Sequence, residues 1–222
     1  MKDILEKIMN EFINSDDHFC SEADFQFSLA WRIKEELKNA EIILEYPIKN
    51  DNNKHQYIDI CVINDNKKHF IELKYKTKKV VLPKHEINDF ELADQYAHDL
   101  GRYHFCKDIE RLEKINEKHS TNYAIFLTND PLYCIDENPD KDTLDKEFKI
   151  FEGKKLTDKL NWKEISGPHW TNKEDKHGNK KYKKIELTNQ YQCNWNKHEK
   201  SGDNAKYNKY YLLLEVPPQK EQ

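Results

Sequence analysis

Three short segments of alternating apolar and polar residues, joined by turns, constrain the fold of this chain more than any other feature. They are 41–48 (EIILEYPI), 56–64 (QYIDICVIN) and 68–76 (KHFIELKYK). The stretches between them are rich in Asn and Asp, which favour turns. Alternation of this length is typical of half-buried strands, so the sequence predicts an antiparallel meander of three strands.

Helical periodicity flanks this meander on both sides. Residues 2–14 and 21–39 predict two helices before it, the second with Ser21 as its N-cap, and residues 89–118 predict a long helix after it. An apolar strand at 122–128 follows. This order predicts an α/β (α+β) fold, in which a central mixed β-sheet is flanked by helices.

The pattern weakens after Asp130. The remaining segments predict short strands at 148–151 and 185–188, a polar loop or hairpin at 167–184, and a last strand at 207–216. Three tryptophans predict a small C-terminal subcore: Trp162, Trp170 and Trp195. By length we expect a single domain, 1–222, with its core at about 20–128 and a C-terminal elaboration over about 130–222.

Charge is spread unevenly along the chain. The net charge is −4, which argues against a protein that coats DNA without specificity. Residues 1–150 carry 22 basic and 31 acidic side chains, whereas residues 151–222 carry 15 and 10. A basic region beside an acidic body suits a protein that grips a polyanion in one place and holds cations in another. The alternative is that the lysines only form a solvated surface.

Cysteine spacing and hydropathy bear on the compartment. The five cysteines are scattered and form no CxxC pair, which favours free thiols over disulfides or a zinc site. The first fifteen residues predict an amphipathic helix with acids in it, not a signal peptide. No apolar run reaches the roughly 18 residues of a membrane helix. We therefore expect a cytoplasmic protein with no membrane partner.

Alternation places three charged residues inside the meander. Asp59 lies mid-strand, while Glu72 and Lys74 share one face of the next strand. The opposite face of the strand that holds Asp59 carries Ile58, Ile60 and Val62. Charge in a buried strand is costly unless it is paired or bound to a metal. Two carboxylates suit Mg²⁺ or Mn²⁺, and Lys74 could orient a water or neutralise developing charge. A cross-strand ion pair is the structural alternative.

The run Tyr57-Ile58-Asp59, twelve residues, then Glu72-Leu73-Lys74 resembles the motif of the PD-(D/E)XK nuclease superfamily. The resemblance covers roughly residues 20–128, and Ile58 stands where the family motif has Pro. It implies a restriction endonuclease-like core and a Mg²⁺-dependent deoxyribonuclease acting in phage defence, restriction or DNA repair. It also implies that Asp59 and Glu72, with the Leu73 carbonyl, hold the metal. DNA would be the partner, and a homodimer would suit an enzyme that cuts two strands.

The resemblance implies further site residues on the flanking helices. Many members place a Glu from the first core helix at the metal, and Glu22 matches that residue. In helical phase, Glu22 and Gln26 fall inside or at the edge of an arc centred on Phe19, Ala23, Phe27, Ala30, Ile33 and Leu37. A favourable helix dipole is the alternative reason for Glu22. Gln95 matches a Gln of the later helix, and Glu45 is a weaker candidate.

Charged pairs on the later helix and several lysines complete the predictions. Asp99–Arg102 and Asp108–Arg111 predict ordinary helix ion pairs. Basic residues near aromatic ones suit contact with a nucleic-acid backbone, and the candidates are Lys76, Lys78, Lys79, Lys180 and Lys181. Two other functions stay open: a nucleic-acid binder without catalysis on the same fold, and a protein-interaction module.

Overall fold

The computed structural model of the protein describes residues 1–16, 18–49, 53–82, 90–115, 117, 120–136, 141–164, 169–174, 180–200 and 202–218. The α-helices in these residues are α1 (Lys2–Asn14), α2 (Glu22–Glu36) and α3 (His98–Glu113). The strands are β1 (Glu41–Lys49), β2 (His55–Asn64), β3 (Lys67–Lys76), β4 (Val80–Leu82), β5 (Phe90–Leu92), β6 (Asn122–Thr128), β7 (Lys155–Leu156), β8 (Lys159–Leu160), β9 (Ile185–Glu186), β10 (Tyr191–Gln192), β11 (Trp195–His198) and β12 (Lys209–Val216).

Six of these strands form one mixed sheet, in the order β1-β2-β3-β6-β12-β11. β3 and β6 run parallel, and all other neighbours in this sheet run antiparallel. The chain crosses between the two parallel strands through α3, as a parallel pair requires. The protein therefore has an α+β fold with a central mixed sheet, as the sequence predicts.

The sheet separates two layers of core. On one face α1 and α2 pack against the sheet, with Phe25 and Leu73 among the buried residues. On the other face lie α3 and the C-terminal segments, where Ile109 and Phe126 are buried. All seven residues of β6 are buried, because both faces of this central strand are covered. Among the described helices, none is long and apolar enough to cross a membrane.

The buried face of α2 differs from the predicted arc. Its buried residues are Phe25, Leu29, Ala30 and Ile33. Phe27 was placed at the centre of the arc but is 59% exposed, and its ring stacks on the equally exposed Trp31. Because aromatic residues lie on both the buried and the exposed side of α2, the apolar periodicity of its sequence does not identify one buried face. Ser21 is the N-cap, as predicted, and its side chain accepts the backbone N–H of Asp24.

The helix predicted at 89–118 begins later and ends earlier. Phe90–Leu92 is a strand that pairs with Val80–Leu82, and α3 starts only at His98. Val80 and Leu92 are buried against each other, and the Thr77 hydroxyl donates to the Ala93 carbonyl. These long-range contacts outweigh the local helical periodicity. Residues 89, 116 and 118 of the predicted helix lie outside the described residues.

The C-terminal region extends the α3-side core and does not form a subcore of its own. Trp162 packs against Tyr103 of α3 at 5.2 Å between ring centroids, and Trp195 against Phe126 of β6 at 5.7 Å. The strand predicted at 148–151 is absent, because Lys146–Phe148 is a 3-10 helix. The one predicted at 185–188 is reduced to β9. In the predicted loop 167–184, residues 167–168 and 175–179 lie outside the described part of the chain.

Two features interrupt the edge strand β1. Glu45 has a φ of 51°, the left-handed conformation that residues other than glycine rarely adopt. Pro47, two residues on, has no backbone N–H. Hydrogen-bonded pairing with β2 is continuous from Glu41 to Leu44 and resumes at Tyr46. The interruption lies opposite Asp59, the residue at which the candidate site begins.

Candidate active site

The candidate site forms where β2 and β3 separate. Their last pairing on this side is Ile60 with Ile71, so Asp59 and Glu72 are the first residues beyond it. Two backbone N–H groups of β3 then lack a strand partner. The Leu73 N–H donates to Oδ2 of Asp59 at 2.6 Å, and the Tyr75 N–H donates to Oε2 of Glu22 at 2.7 Å. Carboxylates from β2 and α2 thus replace the missing strand.

Where β2 separates from β3, its side chains stop alternating regularly between the two faces of the sheet. Ile60 and Val62 lie in the core beneath α1 and α2, but Ile58 lies in the core on the α3 side. The prediction that these three residues share one face is therefore wrong at Ile58. Strict alternation requires continuous pairing, and pairing is interrupted on both sides of Asp59.

Gln26 ties helix α2 to this opening. Its side-chain nitrogen donates to the Asp59 carbonyl at 2.7 Å and to Oε1 of Glu45 at 2.9 Å. The Ser21 cap begins the helix one residue before Glu22, so the cap and Gln26 together position Glu22 beside β3. In this structure Glu45, the weaker candidate, is an exposed acceptor for Gln26.

Glu72 and Lys74 share one face of β3, as its alternation predicts, and in the structure this face is turned towards α3. Glu72 is only 2% exposed, and its Oε1 lies 2.6 Å from Nη2 of Arg111. Nζ of Lys74 lies 3.4 Å from Oδ2 of Asp108 and 3.7 Å from Oε1 of Glu22. Arg111 also reaches Oδ1 of Asp108 at 3.0 Å. We call the resulting set the charge cluster: Glu22, Asp59, Glu72, Lys74, Asp108 and Arg111.

Burial shifts the ionisation of the cluster. It raises the pKa of Asp59 to about 6, with Asp108 adding to the rise and the Leu73 N–H opposing it. Burial likewise raises the pKa of Glu72 well above its ordinary value, and the charge of Asp108 adds to this. Burial alone lowers the pKa of Lys74, but Asp108 and Glu22 outweigh it and the net pKa is raised. The cluster thus holds acids that are costly to ionise beside a lysine that stays charged.

Asp108 and Arg111 were missed as site residues by the sequence reasoning. They do form the predicted i,i+3 pair, but they also contact Glu72 and Lys74 on β3. The sequence holds one signal of their role. Asp108 is a charged residue in the otherwise apolar stripe of α3, between Phe105 and Ile109, and buried charge needs a partner. The other predicted pair is wrong: Arg102 bonds to Asp145 at 2.6 Å, and not to Asp99.

The remaining predicted site residues lie at varied distances from the cluster. Gln95 precedes α3 instead of lying on it; its side chain is exposed and its N–H donates to the Thr77 carbonyl. Lys76, at the end of β3, is half-buried, and burial lowers its pKa. Lys78 exchanges backbone hydrogen bonds with the Asn129 side chain, and Lys79 pairs with Glu91. Leu73 contributes its N–H to Asp59, and its side chain is buried.

A groove of about 1040 Å³ opens onto the charge cluster at Lys74, Asp108 and Arg111. Its walls are α3, the end of β1 and the segment 180–185. Acidic side chains in its lining are Asp108, Glu110 and Glu117. The basic ones are Lys49, Lys74, Lys107, Arg111, Lys114, Lys180, Lys181, Lys183 and Lys184. We call this the basic groove. Its charge is opposite in sign to that of the whole chain, so it suits a polyanion.

Glu113 and Glu110 of α3 fix the C-terminal wall of the groove. Glu113 is fully buried, and its carboxylate accepts the N–H groups of Thr188 and Asn189 and the hydroxyl of Tyr191. Glu110 accepts the N–H of Glu186 at 3.0 Å. The segment that carries Lys180 to Lys184 is therefore anchored to the same helix that supplies Asp108 and Arg111.

The donor chemistry of the cluster fits a hard divalent cation, because such ions prefer oxygen ligands. A bound cation would also favour the ionised forms of Asp59 and Glu72, whose pKa values burial raises. Their present arrangement uses other cations and donors. Within the described ranges, no group of three or more His, Cys, Asp or Glu side chains is placed to hold a metal ion. Asp59 and Glu22 accept backbone N–H groups, and Glu72 pairs with Arg111.

Comparisons with protein-family models, with the curated proteins and with the solved structures found no match for this chain. The assignment to the PD-(D/E)XK superfamily therefore stays a prediction from the motif and the order of elements.

Proposed function

We propose that the protein is a metal-dependent nuclease that hydrolyses phosphodiester bonds of DNA, with the charge cluster as its catalytic centre. One observation carries the proposal: Asp59, Glu72 and Lys74 come together where β2 and β3 separate, and Lys74 lines the basic groove. Structural ion pairs of Lys74 and Arg111 do not require the seven further cations that line the groove. A polyanionic substrate bound with a phosphate near Lys74 would use them.

The residues of the cluster would have different roles in hydrolysis. Asp59 and Glu72, with Glu22, would hold Mg²⁺ or Mn²⁺, which when bound lowers the pKa of a coordinated water and polarises a phosphoryl oxygen. The raised pKa of Lys74 favours its charged form, which would lie beside the phosphate and stabilise the charge that develops during hydrolysis. The lysines of the groove would bind the phosphates on either side.

The same groove supports a second function, a nucleic-acid binder without catalysis. The pairing of Arg111 with Glu72 favours it, because Arg111 supplies Glu72 with a positive charge that a metal ion would otherwise have to supply.

Cleavage assays separate these functions. Plasmid, single-stranded DNA and a branched junction are incubated with the protein in Mg²⁺, Mn²⁺ or EDTA. The nuclease proposal expects cleavage that disappears with EDTA, in Lys74→Ala and in Glu72→Gln. The control is Lys149→Ala, another buried lysine, which pairs with Asp136 away from the cluster and should leave cleavage intact. Binding without cleavage would favour the second function, and neither would reject both.

A further inference from the structure

Arg111 is the counter-ion of Glu72 in this structure. Its Nη2 lies 2.6 Å from Glu72 and 3.0 Å from Asp108, so one nitrogen serves two carboxylates. A guanidinium keeps its charge at every pH that a folded protein meets. Glu72 is almost fully buried, and the ionised form of such a carboxyl group is stable only beside a positive charge. Any cation that binds Glu72 must therefore compete with Arg111.

The pairing is incomplete, which makes it open to competition. Nε of Arg111 is buried and has no hydrogen-bond partner among the described residues, and the contact of Arg111 with Oε1 of Glu72 lacks hydrogen-bond geometry. An unsatisfied buried donor or acceptor is destabilising. Arg111 thus neutralises Glu72 without being fully satisfied there.

The groove offers Arg111 a second position. Its side chain is 27% exposed and already lines the basic groove. Lys107 and Lys114, four residues before it and three after it on α3, line the groove too. A guanidinium released from Glu72 therefore lies among cations that would contact phosphates, and its planar fork suits a phosphate better than an ammonium does.

We propose that Arg111 is an exchangeable counter-ion: a divalent cation replaces it at Glu72, and the released guanidinium binds a phosphate of the substrate in the groove. This inference rests on the proposed function and adds a phosphate-binding residue to it. Cation and Arg111 exclude each other at Glu72, so the metal site is complete only when the arginine has moved towards the substrate.

Metal titration of the full chain by calorimetry tests the exchange without measuring activity. Arg111→Gln removes the competing charge, and we expect it to bind Mn²⁺ about tenfold more tightly than the unaltered protein. Arg111→Lys keeps a competing charge and should bind with an affinity nearer to the original. The control is Arg102→Gln. Arg102 lies on the same helix as Arg111 and pairs with Asp145, away from Glu72, so its loss should leave the Mn²⁺ affinity unchanged.

A second measurement covers the case in which Arg111→Gln does not fold. The chain has three arginines, so the side-chain Nε–H signal of Arg111 can be assigned in a ¹⁵N spectrum from the Arg111→Lys variant. We expect Mg²⁺ to shift this signal in the unaltered protein and to leave that of Arg32 in place.

The outcomes distinguish the exchange from the nuclease proposal. Tighter Mn²⁺ binding by Arg111→Gln than by the unaltered protein supports the exchange. Binding by Arg111→Gln alone would show that Arg111 blocks the cation instead of exchanging with it, and overturns the exchange. Equal or weaker binding by Arg111→Gln, or an Arg111 signal that Mg²⁺ does not move while the metal binds, overturns the exchange and leaves the metal site standing. Failure of every variant to bind Mg²⁺ or Mn²⁺ overturns both.

Discussion

Oδ2 of Asp59 lies 2.6 Å from the backbone nitrogen of Leu73, at the point where their two strands separate. The carboxylate therefore has a structural task as well as its proposed catalytic one. It satisfies an N–H that β2 no longer reaches, while burial disfavours its charge. The two tasks respond differently to substitution, because an amide oxygen can accept the N–H but carries no charge.

Asp59→Asn should stabilise the metal-free protein at high pH. The pKa of Asp59 is raised from 3.8 to about 6, so the folded state binds the proton more tightly than the unfolded state does. The cost of ionising Asp59 is absent below about 3.8, grows between these values and is complete above about 6. We expect Asp59→Asn to gain about 1–2 kcal/mol at pH 8, or roughly 4 °C in Tm.

Thermal unfolding in EDTA from pH 4.5 to pH 8 measures this gain. The difference in Tm between the variant and the unaltered protein should shrink as the pH falls towards 4.5. A variant less stable than the original at pH 8 would show that the Asp59 charge is stabilising, and would contradict the direction of the shift.

Glu113→Ala should destabilise the protein strongly. The change leaves the backbone N–H groups of Thr188 and Asn189 and the buried hydroxyl of Tyr191 without their acceptor, at a cost of about 2–3 kcal/mol. Urea unfolding measures the loss. Glu110→Ala, which removes a single acceptor from the same helix, is the matched control and should cost about 1 kcal/mol. Similar losses for the two variants would mean that Glu113 does not organise this wall.

The C-terminal wall of the groove should set the salt dependence of DNA binding. Each phosphate contact contributes about 0.7–0.9 to the slope of log affinity against log salt. We expect a smaller slope, by about 2–3, when four lysines are changed together to Gln: Lys180, Lys181, Lys183 and Lys184. Fluorescence anisotropy with labelled DNA in EDTA measures it. The control set, on the α1 and α2 side of the sheet, is Lys2, Lys7, Lys34 and Lys38. Equal slopes for both sets would place the DNA elsewhere.

Gly101→Ala should destabilise α3, although alanine is the better helix former by about 1 kcal/mol. A Cβ at this position would lie 2.6 Å from the hydroxyl oxygen of Tyr133, whose ring is buried. That hydroxyl has no hydrogen-bond partner among the described residues, so Tyr133→Phe should cost little. In the Tyr133→Phe background, Gly101→Ala should lose most of its penalty. A double-mutant cycle of unfolding free energies tests this coupling, and additive effects would refute it.

The sequence predicts those parts of the molecule that depend on local alternation. The four core strands end within one residue of their predicted bounds, and Glu72 and Lys74 share a face because β3 is continuously paired with β6. Prediction fails where partners are distant in sequence. Ile58 changes face because β2 leaves β3, and α3 starts late because Leu92 packs on Val80.

The same limit explains which site residues were found. Asp59, Glu72 and Lys74 lie on adjacent strands joined by a turn, so their proximity follows from the hairpin. The contact of Arg111 with Glu72 depends on the rotation of α3 against the sheet, which no spacing in the sequence determines. Glu113 is a similar case, since its partners follow it by more than seventy residues.

The interrupted edge strand β1 also affects how copies of this chain can meet. An exposed edge is a template on which another molecule can add a strand, which is a route to aggregation. Glu45, in its left-handed conformation, breaks the regular spacing of this edge, and Pro47 removes a donor from it. An incoming strand could not continue the ladder past these two residues. At this edge of the sheet, two copies would therefore have to meet through side-chain surfaces instead of a shared strand ladder.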